Sequence, residues 1–331
     1  MTSASLAEWS NLAVYSSMLV LVAALIAFAV SFAARGQRVI APELVTAGGG
    51  APEQPDRGGY ADTPGKPDRG GYADTPGKPD RGDYADTPGN IAMALTWLAT
   101  GLLLVGLVLR GLWAGRVPWG NMYEFSLAWT FGILAVFLVV SLRRDIRWLG
   151  LPVIFLSILS LGLAVTVLYT EAAQLVPALR SWWLIIHVAA AVICGGAFSV
   201  AAAISALYLW RERAERKGHV TGVVAALPDA TRLDTLAYRI LAFAFPLWTF
   251  AVISGAIWAE YAWGRYWGWD PKETWAFITW VIYAGYLHAR STAGWRGRRA
   301  AYISILGFVS FLINYFGVNI FVNSLHSYAG L

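Results

Sequence analysis

Charged residues are scarce in this chain of 331 residues. Asp, Glu, Lys and Arg make up 14% of it, against about 25% in ordinary soluble domains, and 57% of the residues are hydrophobic. This balance excludes a soluble globular protein. Apolar stretches of about 18 residues or more, long enough to cross a hydrocarbon core about 30 Å thick, recur along most of the sequence. The sequence therefore predicts an all-α fold, a polytopic membrane helical bundle.

Cysteine is also scarce, and Cys194 is the only one in the chain. A single cysteine excludes an intramolecular disulfide, a CxxC redox pair and a metal site built from cysteines. Any thiol chemistry must therefore use the thiols of another molecule. Cys194 follows His187 by seven residues and shares its helix face, but we expect a small buried residue there rather than a ligand.

Eight spanning helices are predicted. They lie at about residues 11–34, 91–112, 124–142, 149–169, 183–209, 236–258, 273–290 and 301–321. The first is too long for a signal peptide and lacks a small-residue cleavage site, so we expect it to remain in the protein. The chain then divides into a first transmembrane helix at 1–40, a linker at 41–90 and a membrane domain at 91–331.

Residues 41–90 differ in kind from the rest of the chain. A period of 12 residues runs through them, as PDRGGYADTPGK at 55–66, the same again at 67–78, and PDRGDYADTPGN at 79–90. Pro and Gly interrupt helices and strands, and little besides the tyrosines is apolar, so no core can form. We expect a disordered cytoplasmic linker, with a partner-docking tract as the alternative.

The basic residues predict the topology. If the amino terminus lies outside, most of the Lys and Arg residues fall in the inner loops, and the outer side keeps Arg110, Arg116, Arg180, Arg265 and Lys272. Both termini are then on the outer side of the cell inner (plasma) membrane. The net charge of +5 is explained without a nucleic-acid partner.

The four histidines separate by predicted side of the membrane. His187 lies near the outer end of the fifth helix, and His326 lies just beyond the eighth. His288 lies in the seventh helix towards the cytoplasmic side, and His219 falls in a solvated cytoplasmic loop. Two outer histidines with a third one deeper suggest ligands for metals or for a haem iron. Alternatively, the outer pair are interfacial polar residues bound to backbone or water, and His288 snorkels to the inner interface.

Tryptophan, by contrast, is abundant, with 17 residues in the chain. Most are scattered along helices, but a loop at 258–275 holds five, which are Trp258, Trp263, Trp267, Trp269 and Trp275. An aromatic belt at a membrane boundary explains two or three Trp, not a dense cluster interrupted by Gly and Pro. These residues predict a shaped, non-helical surface on the outer face.

Such a surface suits a large planar ligand. Indole faces stack on flat apolar molecules, and Arg265 and Lys272 would pair with ligand carboxylates. Asp270 would cap the seventh helix, with Pro271 in its first turn. A porphyrin with two propionates fits both properties. A quinone or an aromatic lipid headgroup would use the stacking but leave the two cations unexplained.

The Trp-rich loop also carries a family resemblance. Residues 263–270, WGRYWGWD, match the WGxxWxWD signature of the haem-handling WWD proteins. The continuation PKETW at 271–275 and YLH at 286–288 resembles the CcsA (ResC) branch, the membrane component of system II cytochrome c biogenesis. Shorter matches lie at 121–124, 183–187 and 323–328. The resemblance covers roughly residues 91–331.

The resemblance implies a set of haem-binding residues. His187 and His326 match the two outer histidines that serve as axial ligands of haem iron in this family. The residues of the motif region expected to hold the macrocycle are Trp263, Trp267, Trp269, Asp270, Arg265 and Lys272. His288 matches a histidine of a second haem site inside the membrane. That inner site is incomplete in this chain, and a ResB-like partner would supply the missing ligand.

The implied function is cytochrome c biogenesis. The chain would carry haem b to the outer face and present it for thioether attachment to the CxxCH segment of apocytochrome c. It would do so as the membrane component of a cytochrome c synthase, or haem lyase, complex. Its contribution would be positioning rather than acid–base or nucleophilic catalysis. The alternatives are a system I type haem-handling or export subunit, a transporter with an aromatic gate, and a scaffold whose partner performs the chemistry.

Overall fold

The computed structural model describes residues 3–47, 86–172 and 181–326, which form helices and loops without strands. The helices are α1 (Ser3–Ala47), α2 (Thr87–Ala114), α3 (Met122–Ser141), α4 (Gly150–Thr166), α5 (Trp182–Arg216), α6 (Ala230–Trp263), α7 (Pro271–Thr292), α8 (Arg298–Leu312) and α9 (Val318–Phe321). Short 3-10 turns lie at Arg147–Leu149 and Gly222–Ala226, and a π-helical turn at Ile313–Gly317 joins α8 to α9.

Seven helical segments in this part of the chain are long and apolar enough to cross a membrane, with α8, the π turn and α9 counted as one. The predicted all-α membrane bundle is therefore confirmed, and the protein is a multi-pass membrane protein. The helix predicted at 273–290 is present as α7, but it is not among the seven. Lys272 and Glu273 in its first turn, and its many aromatic rings, make it less apolar than the others.

The loops place their capping residues where the helices begin. Asp86, Ser181 and Asp270 are the N-caps of α2, α5 and α7, and each side chain accepts a hydrogen bond from a backbone N–H of the first turn. Pro271 occupies the first turn of α7, as the sequence predicts. A local hydrogen bond thus fixes the residue at which each of these three helices begins.

α5 is the central element of the bundle. It is the most buried of the spanning helices and packs against α3, α6 and α8. Its first turns bring His187 beside α6, and the segment that follows α9 brings His326 to the same end of the bundle. The fold thus joins two histidines that are 139 positions apart in the sequence.

The helices extend into the predicted linker from both sides. α1 runs on to Ala47, because the stretch before the first repeat still contains helix-forming residues such as Glu, Leu and Ala. At the other end, Asp86 caps α2, and Thr87 to Asn90 form its first turn. The part of the predicted disordered linker at 48–85 lies outside the described residues.

Asp86 also joins three helical segments at the predicted inner end. Its carboxylate accepts hydrogen bonds from Ser31 Oγ at 2.7 Å, from Arg35 Nη2 at 2.5 Å and from the backbone N–H of Gly89 at 3.0 Å. Arg147, after α3, lies 3.7 Å from the same carboxylate. Burial would raise the pKa of Asp86, but these hydrogen bonds outweigh it and lower the pKa below its ordinary value. Residues 86–90, at the end of the last repeat, therefore belong to the folded part of the chain.

Candidate functional site

A cavity opens at the end of the bundle where the Trp-rich loop lies. Its empty space is about 1150 Å³ up to and including the open mouth. Most of its walls are apolar. Among the lining residues are Trp119, Phe125, His187, Trp248, Trp258, Trp267, Lys272, Phe311, Tyr315 and His326.

His187 is held by the backbone of α6. Its Nδ1 atom lies 2.7 Å from the carbonyl oxygen of Ala251. Because a carbonyl can only accept, Nδ1 must carry the proton, and Nε2 then carries the lone pair that binds metals. Gly255 makes room for the ring, since a Cβ at this position would lie 2.7 Å from Nδ1 of His187. The site thus fixes both the tautomer and the place of this imidazole.

His326 is held by a carboxylate instead. Its Nδ1 atom lies 2.8 Å from Oδ2 of Asp270, while Oδ1 of Asp270 accepts the backbone N–H of Leu325 at 2.9 Å. Asp270 therefore ties the segment after α9 to the start of α7. A carboxylate–histidine pair of this kind orients metal-binding histidines in many proteins, with the lone pair on Nε2.

The environment keeps His326 neutral at pH 7. Burial lowers the pKa of His326 to about 4, and the positive charge of Lys272 acts in the same direction, so together they outweigh the attraction of Asp270. Burial opposes ionisation of Asp270, but the hydrogen bonds from Leu325 and His326 lower the pKa of its carboxyl. A neutral imidazole beside an ionised carboxylate is the state that suits iron ligation.

One indole contacts both histidines. The ring centroid of Trp258 lies 6.3 Å from that of His187, and the planes of the two rings are nearly parallel, at 10°. It lies 5.5 Å from the ring centroid of His326. Trp263 packs against His326, with 4.6 Å between the centroids of the two rings. Trp258 is 2% exposed, and its Nε1 atom has no hydrogen-bond partner among the described residues. The cavity wall thus offers a buried N–H donor.

Glu273 organises the Trp-rich loop. Its carboxylate accepts the backbone N–H groups of Gly268 at 2.8 Å and Asp270 at 3.0 Å, and it lies 3.3 Å from Nη1 of Arg265. Sequence reasoning assigned it no role, although Asp270 and Glu273 stand at the spacing of a capping box, which the structure has. Arg265, predicted to bind a ligand carboxylate, forms an ion pair with Glu273 in the structure.

The predicted loop at 258–275 is non-helical only at 264–270, which is the Trp-rich loop of the structure, because α6 runs to Trp263 and α7 begins at Pro271. The predicted tryptophans therefore occupy different places. Trp267 lines the cavity, and Trp263 contacts His326. Trp269 is 64% exposed, with its ring against Trp267 and Phe277. In the described part of the chain Trp269 is the only non-glycine residue with positive φ, at 58°. Such backbone strain is typical of functional loops.

His288 lies away from this cavity. It is exposed on α7, on the same face as Phe277 and Val281 and towards the opposite end of that helix. Cys194 is fully buried, and its Sγ lies 3.6 Å from the carbonyl oxygen of Ala244. The prediction of a small buried residue at Cys194 is confirmed.

Two asparagines of the last spanning segment line the cavity and were not singled out from the sequence. Asn314 lies in the π-helical turn and Asn319 in α9, and within the described ranges neither Oδ1 atom has a hydrogen-bond partner. π-helical turns are frequent at functional sites. The signal that could have found them is the rule that polar residues within a spanning segment are costly and hence functional.

The arrangement suits a planar metal complex better than a bare ion. No group of three His, Cys, Asp or Glu side chains able to hold a metal occurs in the ranges 3–47, 86–172 and 181–326. Two imidazoles, the indoles of the cavity wall and Lys272 instead match a metal that arrives inside a flat apolar macrocycle with acidic substituents. The Nε1–H group of Trp258, which has no partner among the described residues, is a donor that fits such an acidic substituent.

Comparisons with known proteins show the family to which the chain is similar. Residues 119–326 match the model of the family described as "Cytochrome C assembly protein". The chain is 38% identical over 240 residues to "Cytochrome c biogenesis protein CcsA" of Guillardia theta, which covers 67% of this chain and 80% of that one. It is 35% identical over 280 residues to the protein of the same name from Porphyra purpurea, covering 73% of this chain and 85% of the relative.

A solved structure shares the fold. "Cytochrome c Heme Lyase CcmF" aligns with a TM-score of 0.59 at 15% identity, over 100% of this chain and 49% of the other. The chain thus spans about half of that larger protein. At this identity the likeness shows a common fold and nothing finer.

Proposed function

Since the chain belongs to the cytochrome c assembly protein family, as a CcsA-type cytochrome c biogenesis protein, we propose that it carries haem to the outer face of the membrane. There it presents haem b, its substrate, for covalent attachment to the CxxCH segment of apocytochrome c. One observation carries the proposal. His187 and His326 line a single cavity, and each has Nδ1 bound to an acceptor, which assigns the metal-binding lone pair to Nε2.

The residues of the cavity divide the task of holding haem. His187 and His326 ligate the iron, and Asp270 orients His326. The macrocycle lies against Trp258, Trp263 and Trp267, whose indole faces favour a flat apolar surface. Lys272 pairs with a propionate. Arg265 supports the loop through its ion pair with Glu273. Trp269 covers the outer edge of the loop.

The chain contributes position rather than a reacting group. Each substrate thiol adds across a haem vinyl group, so that a C–S bond forms, the thiol hydrogen goes to the neighbouring carbon and nothing leaves. Fixing the plane and orientation of the haem brings the vinyl groups to the thiols, and such orientation lowers the barrier substantially. The histidine of CxxCH then replaces one axial ligand, and the product is released. Cys194 is buried and takes no part.

A membrane partner completes the path of haem. His288 is exposed on α7 and lies away from the outer cavity, so it would ligate haem together with a residue of a ResB-like partner. Phe277 and Val281 extend this face towards the outer end of α7. In this arrangement the protein lies in the plasma membrane with both termini on the outer side.

Maturation of a reporter cytochrome tests the proposal. The full chain and a ResB-like partner are expressed with an apocytochrome c in cells lacking other maturation systems, and covalent haem on the reporter is measured by peroxidase staining of denaturing gels. The wild type should yield stained reporter, and His187→Ala and His326→Ala should reduce it to background. Trp182→Leu, at an 80% exposed position, is the matched control. Undiminished maturation by both histidine variants would refute the proposal.

A further inference from the structure

Two outer loops of this protein have the same construction. One joins α2 to α3 and spans 115–121, and the other is the Trp-rich loop that joins α6 to α7. Each begins with a glycine in the left-handed region, Gly115 at φ 63° and Gly264 at φ 69°, which ends the preceding helix. Each ends with an N-cap, Asn121 or Asp270, six residues after its glycine.

The same ion pair closes both loops. An arginine follows each glycine, and a buried glutamate stands in the first turn of the next helix. Nη1 of Arg116 lies 2.6 Å from Oε2 of Glu124, and Nη1 of Arg265 lies 3.3 Å from Oε1 of Glu273. The glutamates also accept a backbone N–H from within their loops, Gly120 at 2.7 Å and Gly268 at 2.8 Å.

Both loops face one cavity. Trp119 and Asn121 line it from the first loop, and Tyr266 and Trp267 line it from the second, together with His187 and His326. The ion pairs therefore fix a tryptophan of each loop in the wall of the space assigned to haem. The correspondence also shows in the sequence, where residues 115–124 and 264–273 share the pattern G-R-x4-[N/D]-x2-E.

Two differences separate the loops. Glu124 has a further arginine partner, because Nε of the buried Arg110 lies 3.1 Å from its Oε1. The N-caps also differ. In the second loop the N-cap Asp270 is a carboxylate, which accepts both from Leu325 and from His326. In the first loop the N-cap is Asn121, a neutral amide whose Oδ1 accepts the backbone N–H of Glu124 at 2.8 Å. The first loop can therefore present a ring to the cavity, but its cap is not arranged to orient an iron ligand.

From this correspondence we infer that the α2–α3 loop is a second haem-contacting wall, in which Trp119 stacks on or against the edge of the macrocycle. Arg116 and Glu124 are positioning residues, which act by holding Trp119 in place. The inference rests on the proposed function, because it takes haem as the occupant of the cavity. It adds a binding residue outside the Trp-rich loop.

Titration of ferric haem into the purified full chain tests this inference. The dissociation constant is read from the Soret absorption band. Trp119→Leu should bind haem roughly three- to tenfold more weakly, the range expected for the loss of one aromatic contact, while Trp119→Phe should restore most of the affinity. Trp182→Leu serves as the control, since Trp182 is exposed on the first turn of α5, and it should bind as the wild type does.

A paired substitution tests the correspondence between the loops. Arg116→Gln and Arg265→Gln each remove one ion pair and leave the buried glutamate its backbone N–H donor, so both should weaken haem binding in the same direction. If His187→Ala abolishes binding but Trp119→Leu and Arg116→Gln bind as the wild type, the inference fails and the proposed function stands. If the histidine variants bind undiminished, the proposed function itself fails. If the melting temperature and the haem affinity fall together in both Trp119→Leu and Trp119→Phe, Trp119 stabilises the fold by packing. That result would overturn the inference.

Discussion

Nδ1 of His326 lies 2.8 Å from Oδ2 of Asp270, the residue that also caps α7. The Asp at the end of the WWD signature therefore has two tasks, one local and one at a distance. It begins the helix that follows the Trp-rich loop, and it orients an imidazole 56 positions later in the sequence. Its carboxylate thus couples the shape of the loop to the place of an iron ligand.

Asp270→Asn separates these two tasks. Asn remains a good N-cap, so the melting temperature should change little. An amide is a weaker acceptor than a carboxylate, and its NH₂ group can turn towards Nδ1 and move the imidazole proton to Nε2. Loss of such a partner typically costs about 10- to 100-fold in metal affinity. Titration with ferric haem should show a weakening in this range, and wild-type affinity in Asp270→Asn would contradict the positioning role.

Gly255→Ala tests how closely His187 is held. The added methyl would lie 2.7 Å from Nδ1 of His187 and displace the ring from the carbonyl oxygen of Ala251. A displacement of about 1 Å can cost up to about 100-fold in rate, so reporter maturation should fall steeply. Gly101→Ala in α2 is the matched control, because no atom outside its own stretch of helix lies within 4 Å of its new methyl. Equal maturation by the two alanine variants would show that the site tolerates a shifted His187.

His288→Ala separates haem supply from haem binding. Because His288 lies outside the outer cavity, ferric haem added to the purified variant should bind with wild-type affinity. Protein purified from cells should nevertheless carry less haem than the wild type, since delivery from the inner side is impaired. If the variant purifies with as much haem as the wild type, His288 takes no part in haem delivery.

Asp86→Ala tests the link between the repeat segment and the bundle. It removes the N-cap of α2 and the partner of Arg35, which should cost about 0.5–2 kcal/mol of stability at pH 7. Asp74→Ala is the control, because Asp74 has the same place in the preceding DTPG repeat. Its melting temperature in detergent should equal that of the wild type.

The effect of Asp86 should also depend on pH. The pKa of this carboxyl is lower in the folded protein than its ordinary value, so its stabilisation is present above that ordinary value of 3.8. As the pH falls through the lowered pKa, the carboxylate is protonated in the folded state too, and the stabilisation is lost. The melting temperatures of wild type and Asp86→Ala should therefore converge below about pH 4. A gap that persists unchanged in acid would contradict the role of the ionised carboxylate.

Local signals in the sequence predict much of the fold. Apolar runs locate the spanning helices, and the Asp270-Pro271 pair marks the start of α7, as the structure confirms. The end of α1 at Ala47 was missed because the linker was assigned by composition, whereas its first residues are helical. The helix predicted at 273–290 does form, as α7, although it is less apolar than the spanning segments around it.

The sequence predicted some of the residues that line the cavity but not their contacts. His187 and His326 could be paired from their predicted side of the membrane, and both do line one cavity. Which atom holds each ring depends on tertiary packing, and neither Ala251 nor Gly255 carries any signal of it in the sequence. Trp119 was not singled out, although its loop shares the pattern G-R-x4-[N/D]-x2-E with residues 264–273, because the sequence does not show that the two loops face one cavity.

Axial ligation of haem by His187 and His326 is the central claim, and spectroscopy of the purified full chain with ferric haem tests it most directly. The wild type should give the absorption spectrum of a six-coordinate, low-spin haem with two histidine ligands. His187→Ala and His326→Ala should each lose that spectrum and bind haem at least about tenfold more weakly, and added imidazole should restore the low-spin form. Wild-type affinity and an unchanged spectrum in both variants would contradict the account.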